Sequence, residues 1–323
     1  MNDNKLIIDN DAGGDDALAI FIALLYEKYF QGPQLIALTT ANGNTNEDNV
    51  FINNQKILNV AKRRDVPIYR GCKESLVITP QSSQYYGEDG LGNNGEVLTD
   101  PLPVQNEGAV LTLINLSKKY PGNITVVTIG TLTNIALAIK LDPEFLGRLN
   151  HLYIGGGHIY SEKYPSAEFN VRMDAEAYHI VVEHATPDKV TIVPFSQIKE
   201  HLTIDMDWRR DTLGGLDTDI IRAQNIYEDV ALKKKMDKWD SLDPATVSVA
   251  LSNMSTGPGK PDFVTEYKYS KSGIILCGDK RGINTNTFVR KEDANVRIAY
   301  SFDMEMYKSF LFHLFSADVS RPK

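Results

Sequence analysis

The stretch KLIIDNDAGGDDALAIFIALLYEKYF, residues 5–30, carries four aspartates between two of the most apolar runs of the chain: Asp9, Asp11, Asp15 and Asp16. The run at residues 6–8 is continuously apolar, which is typical of a central strand covered on both faces. The apolar positions of residues 17–30 indicate a buried helix, and acids in its first turn suit the helix dipole. The stretch therefore predicts a strand, a tight turn at Gly13 and Gly14, and a helix.

The same pattern of a strand followed by a helix recurs along the chain. It is predicted at residues 35–40 with 48–63, 124–129 with 132–140, 152–154 with 174–183, and 190–193 with a further segment. Toward the C-terminus we predict strands at 263–269, 273–277 and 296–301 and a closing helix at 304–315. This alternation indicates an α/β fold with a mostly parallel central sheet and helices on both faces. No stretch has the composition of a linker, so we expect a single domain over residues 1–323.

Composition narrows the range of partners. The 323 residues carry a formal net charge of -8, and the basic residues are scattered, so we expect no nucleic-acid partner. No apolar run is long enough to cross a bilayer, and the N-terminus lacks a signal-peptide pattern, so we expect a cytoplasmic protein without membrane contact. Cys72 and Cys277 lie far apart, which favours two reduced thiols.

The four aspartates predict a bound cation. Ligands of an open α/β sheet bind beyond the carboxyl ends of its strands, where this turn is expected. Carboxylates beside a buried strand are costly without a positive partner, and a cluster of oxygen ligands suits a hard ion such as Ca²⁺ or Mg²⁺. Asp15 and Asp16 are adjacent on the helix and point in different directions, so one can hold metal while the other holds substrate. One or two such acids would suit a solvated helix cap equally well.

A second interpretation of the same turn is that the protein is a phosphohydrolase. The triplet DND after a strand resembles the DxD of the haloacid dehalogenase superfamily, which implies Asp9 as the nucleophile and Mg²⁺ as the cofactor. This alternative predicts the release of phosphate.

Further motifs follow in a fixed order along the chain. They are GN at Gly43 and Asn44, LTNIA from Leu132, GGG at residues 155–157, AEFN from Ala167, and DP at Asp243. Each alone is an ordinary turn or helix start. Together with DNDAGGDD, which is similar to a DxDxGxDD signature, they resemble the nucleoside hydrolase family over essentially the whole chain.

The resemblance implies a Rossmann-like nucleoside hydrolase fold and hydrolysis of the N-glycosidic bond of ribonucleosides to ribose and a free base. It implies one Ca²⁺ bound by Asp11, Asp16, the backbone carbonyl of Ile129, and Asp243. Asp11 corresponds to the general base that takes a proton from the attacking water. The substrate-binding positions that it implies surround the ribose: Asp15, Asn44, Glu168, Asn170 and Asp243. Phe169 is expected to pack on the sugar.

The chain departs from the family on the side of the base. Leu242 stands where many members carry a histidine that acts on the leaving group, and Tyr86 stands at a loop position that is often histidine. Aromatic stacking by Tyr86 and by Tyr227, in a helix predicted at 219–234, would favour purine nucleosides slightly; alternatively, another acid replaces the histidine. A nucleoside-binding protein that has lost turnover through the change to Leu242 is a third interpretation. The family also implies a homo-oligomer, a dimer or a tetramer, and a role in nucleoside catabolism and purine salvage.

Overall fold

The structure is a computed structural model that describes residues 4–256 and 259–319. Its strands are β1 (Lys5–Asn10), β2 (Gln34–Thr40), β3 (Ile68–Tyr69), β4 (Ile124–Thr128), β5 (His151–Gly155), β6 (Val190–Val193), β7 (Ile204–Asp205), β8 (Lys238–Trp239), β9 (Val264–Ile274), β10 (Asn284–Phe288) and β11 (Val296–Phe302). Its α-helices are α1 (Gly14–Phe30), α2 (Glu47–Val60), α3 (Ala109–Lys119), α4 (Thr133–Leu141), α5 (Phe145–Arg148), α6 (Phe169–Met173), α7 (Ala175–His184), α8 (Phe195–His201), α9 (Asp219–Tyr227), α10 (Asp229–Leu232), α11 (Leu242–Met254) and α12 (Met304–Val319). A π-helical segment lies at Trp208–Leu213.

The main sheet has nine strands in the order β10-β9-β11-β6-β5-β4-β1-β2-β3. Strands β1 to β6 are parallel to their neighbours, and β11 joins β6 in parallel, whereas β9 runs antiparallel to both β10 and β11. The predicted α/β fold with a mostly parallel sheet is therefore confirmed. Strands β7 and β8 form a separate antiparallel pair.

Apolar layers cover both faces of the sheet. Leu6 and Ile8 of β1 belong to the layer that contains α1, α11 and α12, whereas Ile7 faces the layer of α3, α4 and α7. This alternation explains why β1 is apolar at successive positions, since both of its faces are buried. Among the described residues, no helix is both long and apolar enough to cross a membrane.

Two predictions of secondary structure are wrong in detail. The strands predicted at 263–269 and 273–277 are one strand, β9, and its partner β10 was missed because its sequence NTNTF is polar, as an edge strand can be. The helix predicted at 219–234 is divided into α9 and α10 at Glu228. The Glu228 side chain turns inward there to bond Arg209 and Trp239.

Parallel pairing brings several strand ends to one edge of the sheet. Asp9 in β1 lies opposite Thr39 in β2 and Thr128 in β4, and Thr128 lies opposite Ile154 in β5. The segments that follow these four strands therefore meet beyond the same edge, and helix α11 packs against α1 beside them.

Candidate active site

The turn that follows β1 has an unexpected geometry. Ala12, not a glycine, has the left-handed backbone conformation, with φ of 33°. Gly13 has φ of -82°, so neither it nor Gly14 is needed for a positive φ. A Cβ on Gly13 would lie 2.5 Å from Nδ2 of Asn44, and one on Gly14 would lie 2.7 Å from Cδ1 of Tyr86. The glycines are required because neighbouring side chains approach the backbone closely, and not because of the tight turn that the sequence predicted.

Four aspartates gather beside this turn, and we call them the acidic cluster: Asp11, Asp15, Asp16 and Asp243. Carboxylate oxygens of Asp15, Asp16 and Asp243 lie within 4.8 Å of one another. Burial and the charges of neighbouring aspartates raise the pKa of Asp16 and of Asp243 well above the ordinary value. Burial above all raises the pKa of Asp11 to about 7. In the described part of the chain, none of the four forms an ion pair with a basic side chain.

Asn44 holds two members of the acidic cluster in place. Its backbone N–H donates to Oδ2 of Asp11 at 2.7 Å, and its Nδ2 donates to Oδ2 of Asp16 at 3.1 Å. The backbone N–H of Gly13 also donates to Oδ2 of Asp16, at 2.8 Å. On the other side, a Cβ on Gly43 would lie only 1.8 Å from Oδ2 of Asp11. The Asp11 carboxylate is therefore closely enclosed and has little freedom to move.

A cavity of about 260 Å³ opens above the acidic cluster. Its polar lining includes Asp15, Asp243, Asn44, Glu168 and Asn170. The rest of the lining is mainly aromatic or apolar, with two charged groups, and includes Tyr85, Phe195, Lys199, Met236, Asp240 and Leu242. The lining thus offers polar groups to a hydroxylated part of a ligand and aromatic or apolar groups to a flat part.

The ends of β4 and β5 supply the polar wall of the cavity. Nδ2 of Asn170 donates to the carbonyl of Ile129 at 3.0 Å and to that of Gly155 at 3.2 Å. Glu168 caps helix α6, because its Oε2 accepts from the backbone N–H groups of Gly157 at 2.9 Å and Val171 at 3.2 Å. The AEFN segment is thereby tied to the strand ends.

A buried charge network supports the cavity from behind. Arg209 and Glu228 form an ion pair whose side chains are almost completely buried, and Nε1 of Trp239 donates to the same carboxylate at 3.0 Å. Burial and then the charge of Glu228 raise the pKa of Asp15 to about 6. The hydroxyl of Tyr86 donates to Asp15 and opposes this rise. Tyr86 therefore contacts the acidic cluster directly.

Asp9 does not belong to the cavity. Its side chain accepts hydrogen bonds from Thr39 and from Nδ2 of Asn134, the latter at 2.8 Å, and it is completely buried. A carboxylate enclosed by these donors is not accessible to a phosphorylated substrate. The prediction of Asp9 as a nucleophile is therefore wrong.

The comparisons with known proteins agree with this arrangement. The family model described as inosine-uridine preferring nucleoside hydrolase matches residues 6–309. The chain belongs to the nucleoside hydrolase family. These enzymes hydrolyse the N-glycosidic bond of ribonucleosides, so the family assignment also argues against the phosphohydrolase.

Individual nucleoside hydrolases show how far the similarity extends. A protein of Arabidopsis thaliana described as a probable uridine nucleosidase is 31% identical over 90% of this chain and 88% of its own length. An inosine-uridine preferring nucleoside hydrolase of Leishmania major is 37% identical, over 55% of this chain and 56% of its own length. The solved structure of a plant nucleoside hydrolase has a TM-score of 0.82 at 27% identity and covers 97% of this chain and 99% of that one.

Most of the site residues predicted from the nucleoside hydrolase motifs meet at the cavity. Those that line it are Asp15, Asn44, Tyr86, Ile129, Glu168, Phe169, Asn170 and Asp243, and the carboxylates of Asp11 and Asp16 lie next to them. Tyr227 does not line the cavity. It is the last residue of α9, is 2% exposed, and belongs to the apolar core. The prediction that Tyr227 contacts the substrate is corrected accordingly.

The sequence prediction missed several residues of the cavity. Phe195 and Lys199 lie on α8, directly after β6, so the position of this strand end was a signal for them. Met236 and Asp240 lie in the segment before α11, and nothing in their local pattern indicates a site. Arg209, which does not line the cavity, was also missed, because only the folded chain brings it to Glu228.

Proposed function

We propose that this nucleoside hydrolase is Ca²⁺-dependent, with Asp11 as its general base and the acidic cluster holding both ion and ribose. The acidic cluster carries this proposal. Four buried aspartates share one site without a basic partner in the described part of the chain, so a cation is required to keep them ionised at neutral pH.

The donor set suits calcium. Asp11, Asp16 and Asp243 would supply carboxylate oxygens and Ile129 its backbone carbonyl, which is the mixture of hard oxygen ligands that Ca²⁺ accepts at high coordination number. The carboxylate oxygens that lie within 4.8 Å of one another belong to Asp15, Asp16 and Asp243. We assign Asp15 to the ribose because its carboxylate also faces the cavity. When bound, Ca²⁺ supplies positive charge that makes a neighbouring water more acidic and orients it.

The residues of the site then have separate roles in hydrolysis. Asp11, held by Asn44 at 2.7 Å, accepts a proton from the attacking water. Asp15 and Asp243 bind the 2′- and 3′-hydroxyls of the ribose, and Glu168 lies near the 5′-hydroxyl. As the bond from C1′ to the base breaks, the sugar gains positive charge, which these carboxylates stabilise electrostatically.

The lining of the cavity supports a slight preference for purine nucleosides. Tyr85 and Phe195 offer aromatic faces, and Met236 adds a polarisable contact, so a larger π-system gains more from this surface. Tyr86 bonds Asp15 and therefore acts on the sugar side. The names of relatives differ in the base, since one is a uridine nucleosidase and another, from Gardnerella vaginalis, is purine-preferring. The role in purine salvage, the cytoplasmic location and the homo-oligomer stay predictions.

The experiment compares the unmodified protein with two aspartate variants. Each is incubated with inosine, adenosine, guanosine, uridine and cytidine, with Ca²⁺ and after chelation, and the reducing sugar released is measured. Asp11→Asn should lower kcat by about 10²-fold to 10⁴-fold, the usual contribution of a general base. Asp9→Asn is the matched control, because Asp9 is a neighbouring buried aspartate outside the cavity, and it should leave kcat nearly unchanged.

Ribose release that is lost in Asp11→Asn and on chelation would support the proposal and would rank the bases. Equal losses in both aspartate variants would contradict the role of Asp11. Nucleoside binding without release of ribose would favour the binding protein that lacks turnover.

A further inference from the structure

The lining of the cavity includes a cation whose role is unexplained. Among the described residues that line the cavity, Lys199 is the only basic one. The Nζ of Lys199 lies 4.5 Å from the centroid of the Phe195 ring, and the neighbouring Glu200 pairs with Lys163. Within the described ranges, Lys199 forms no ion pair. Its ammonium group therefore keeps its donor capacity for a ligand.

The position of Lys199 is set by its surroundings. It lies on α8, which begins immediately after β6 at the edge where the site is built. The Phe195 ring beneath the ammonium stacks on His158, with ring centroids 6.1 Å apart and an angle of 14°. The hydroxyl of Thr203 donates to the Lys199 carbonyl at 2.7 Å. The aromatic stack and the helix together hold the lysine stem against the cavity wall.

The reaction needs a group of this kind. When the bond between C1′ and the base nitrogen breaks, its electron pair stays on the base, which must then receive a proton. The family position that often supplies histidine is Leu242 here, and five other polar residues of the lining are assigned to the ribose: Asp15, Asn44, Glu168, Asn170 and Asp243. We propose that Lys199 is the catalytic residue for the leaving group, an inference that rests on the proposed function.

The proton balance of the step is complete. The ammonium of Lys199 donates a proton to a ring nitrogen or carbonyl oxygen of the departing base, and the base leaves neutral. The water that attacks C1′ gives its proton to Asp11, and solvent exchange returns one proton from Asp11 to the neutral amine of Lys199. The products are ribose and the free base, with no other reactant.

Tyr85 is one competing proton donor in the cavity. Its hydroxyl lies 3.5 Å from Sδ of Met236, and Lys234 lies 3.5 Å from its ring centroid. Lys199 is favoured because an ammonium both neutralises the charge that develops on the base and donates the proton, whereas a phenol only donates.

A substrate that needs no leaving-group acid tests this assignment. The unmodified protein, Lys199→Met, Lys199→Arg and Tyr85→Phe are assayed on inosine and on 4-nitrophenyl β-ribofuranoside, whose nitrophenolate leaves without a proton. Lys163→Met is the matched control, because it removes a lysine beside α8 that does not line the cavity. Circular dichroism checks the fold of each variant.

We expect Lys199→Met to lower kcat for inosine by about 10²-fold to 10⁴-fold while leaving the nitrophenyl riboside nearly unaffected. Lys199→Arg should show the same selective loss, because a guanidinium does not release its proton at neutral pH. Equal losses on both substrates, full activity of either Lys199 variant, or a selective loss in Tyr85→Phe would overturn the assignment. An unmodified protein that cleaves neither substrate would instead reject the proposed preference for purine nucleosides.

Discussion

Removal of divalent cations should destabilise the folded protein much more at pH 8 than at pH 5. The cause is the acidic cluster, in which burial above all raises the pKa of Asp11 from 3.8 to about 7. Without a cation, the folded protein keeps this proton up to about pH 7, whereas the unfolded chain releases it near 3.8. The stabilising effect of this proton is fully present below pH 3.8 and is lost as the pH rises through 7.

The magnitude follows from this difference in pKa. Asp11 alone should lower the unfolding free energy of the cation-free protein by roughly 4 kcal/mol at pH 8 and by roughly 2 kcal/mol at pH 5. Ca²⁺ replaces the protons and removes the repulsion among the carboxylates. Its stabilising effect should therefore be greater at pH 8 by a few kcal/mol, with the other raised aspartates adding to the contribution of Asp11.

The assay is urea unfolding followed by circular dichroism, at pH 5 and pH 8, with saturating Ca²⁺ and after exhaustive removal of cations. The difference between the two states is taken at each pH, so the titration of groups outside the site cancels. Asp11→Asn is the control and should reduce the dependence of this difference on pH. A stabilisation by Ca²⁺ that is equal at both pH values, or absent, would refute the reasoning.

Three further predictions follow from single side chains. Gly43→Ala should lower kcat by about 10²-fold, since the new Cβ would lie 1.8 Å from Oδ2 of Asp11 and must displace it; unchanged kinetics would contradict this enclosure. Arg209→Met should reduce the unfolding free energy in urea by about 3–5 kcal/mol because it leaves Glu228 buried without its partner, and adding Glu228→Gln should restore part of the loss. Burial lowers the pKa of His151 from 6.5 to about 4. The unfolding free energy should therefore fall by about 3 kcal/mol between pH 6.5 and pH 4, and in His151→Gln this fall should be shallower in the same urea assay.

The local pattern of the chain was sufficient to predict the first unit of the fold. The apolar run before Asp9 and the apolar helical pattern after Gly14 are features of short segments, and the structure has β1 and α1 there. The edge strand β10 was missed because the same kind of reasoning depends on apolar side chains, and a half-exposed strand has few of them.

The sequence also predicted most of the residues that meet at the cavity, and this prediction came from the order of the motifs rather than from local periodicity. Their motifs occur in the order of a known family, and the parallel strands bring the segments after β1, β2, β4 and β5 to one edge. The direction of each side chain was not predictable in this way. Tyr227 points into the core and Asp9 into the interior of the sheet, since each is held by packing or by hydrogen bonds from distant segments.

The sequence by itself thus determined the class of fold, the family and the residues that form the acidic cluster, because these depend on local periodicity and on the order of motifs. Only the tertiary structure decided which residues complete the cavity. Asp240 and Met236 come from a segment with no site-like pattern, and Arg209 is buried in an ion pair with Glu228. Such contacts depend on the packing of segments far apart in the chain, which no short stretch of sequence specifies.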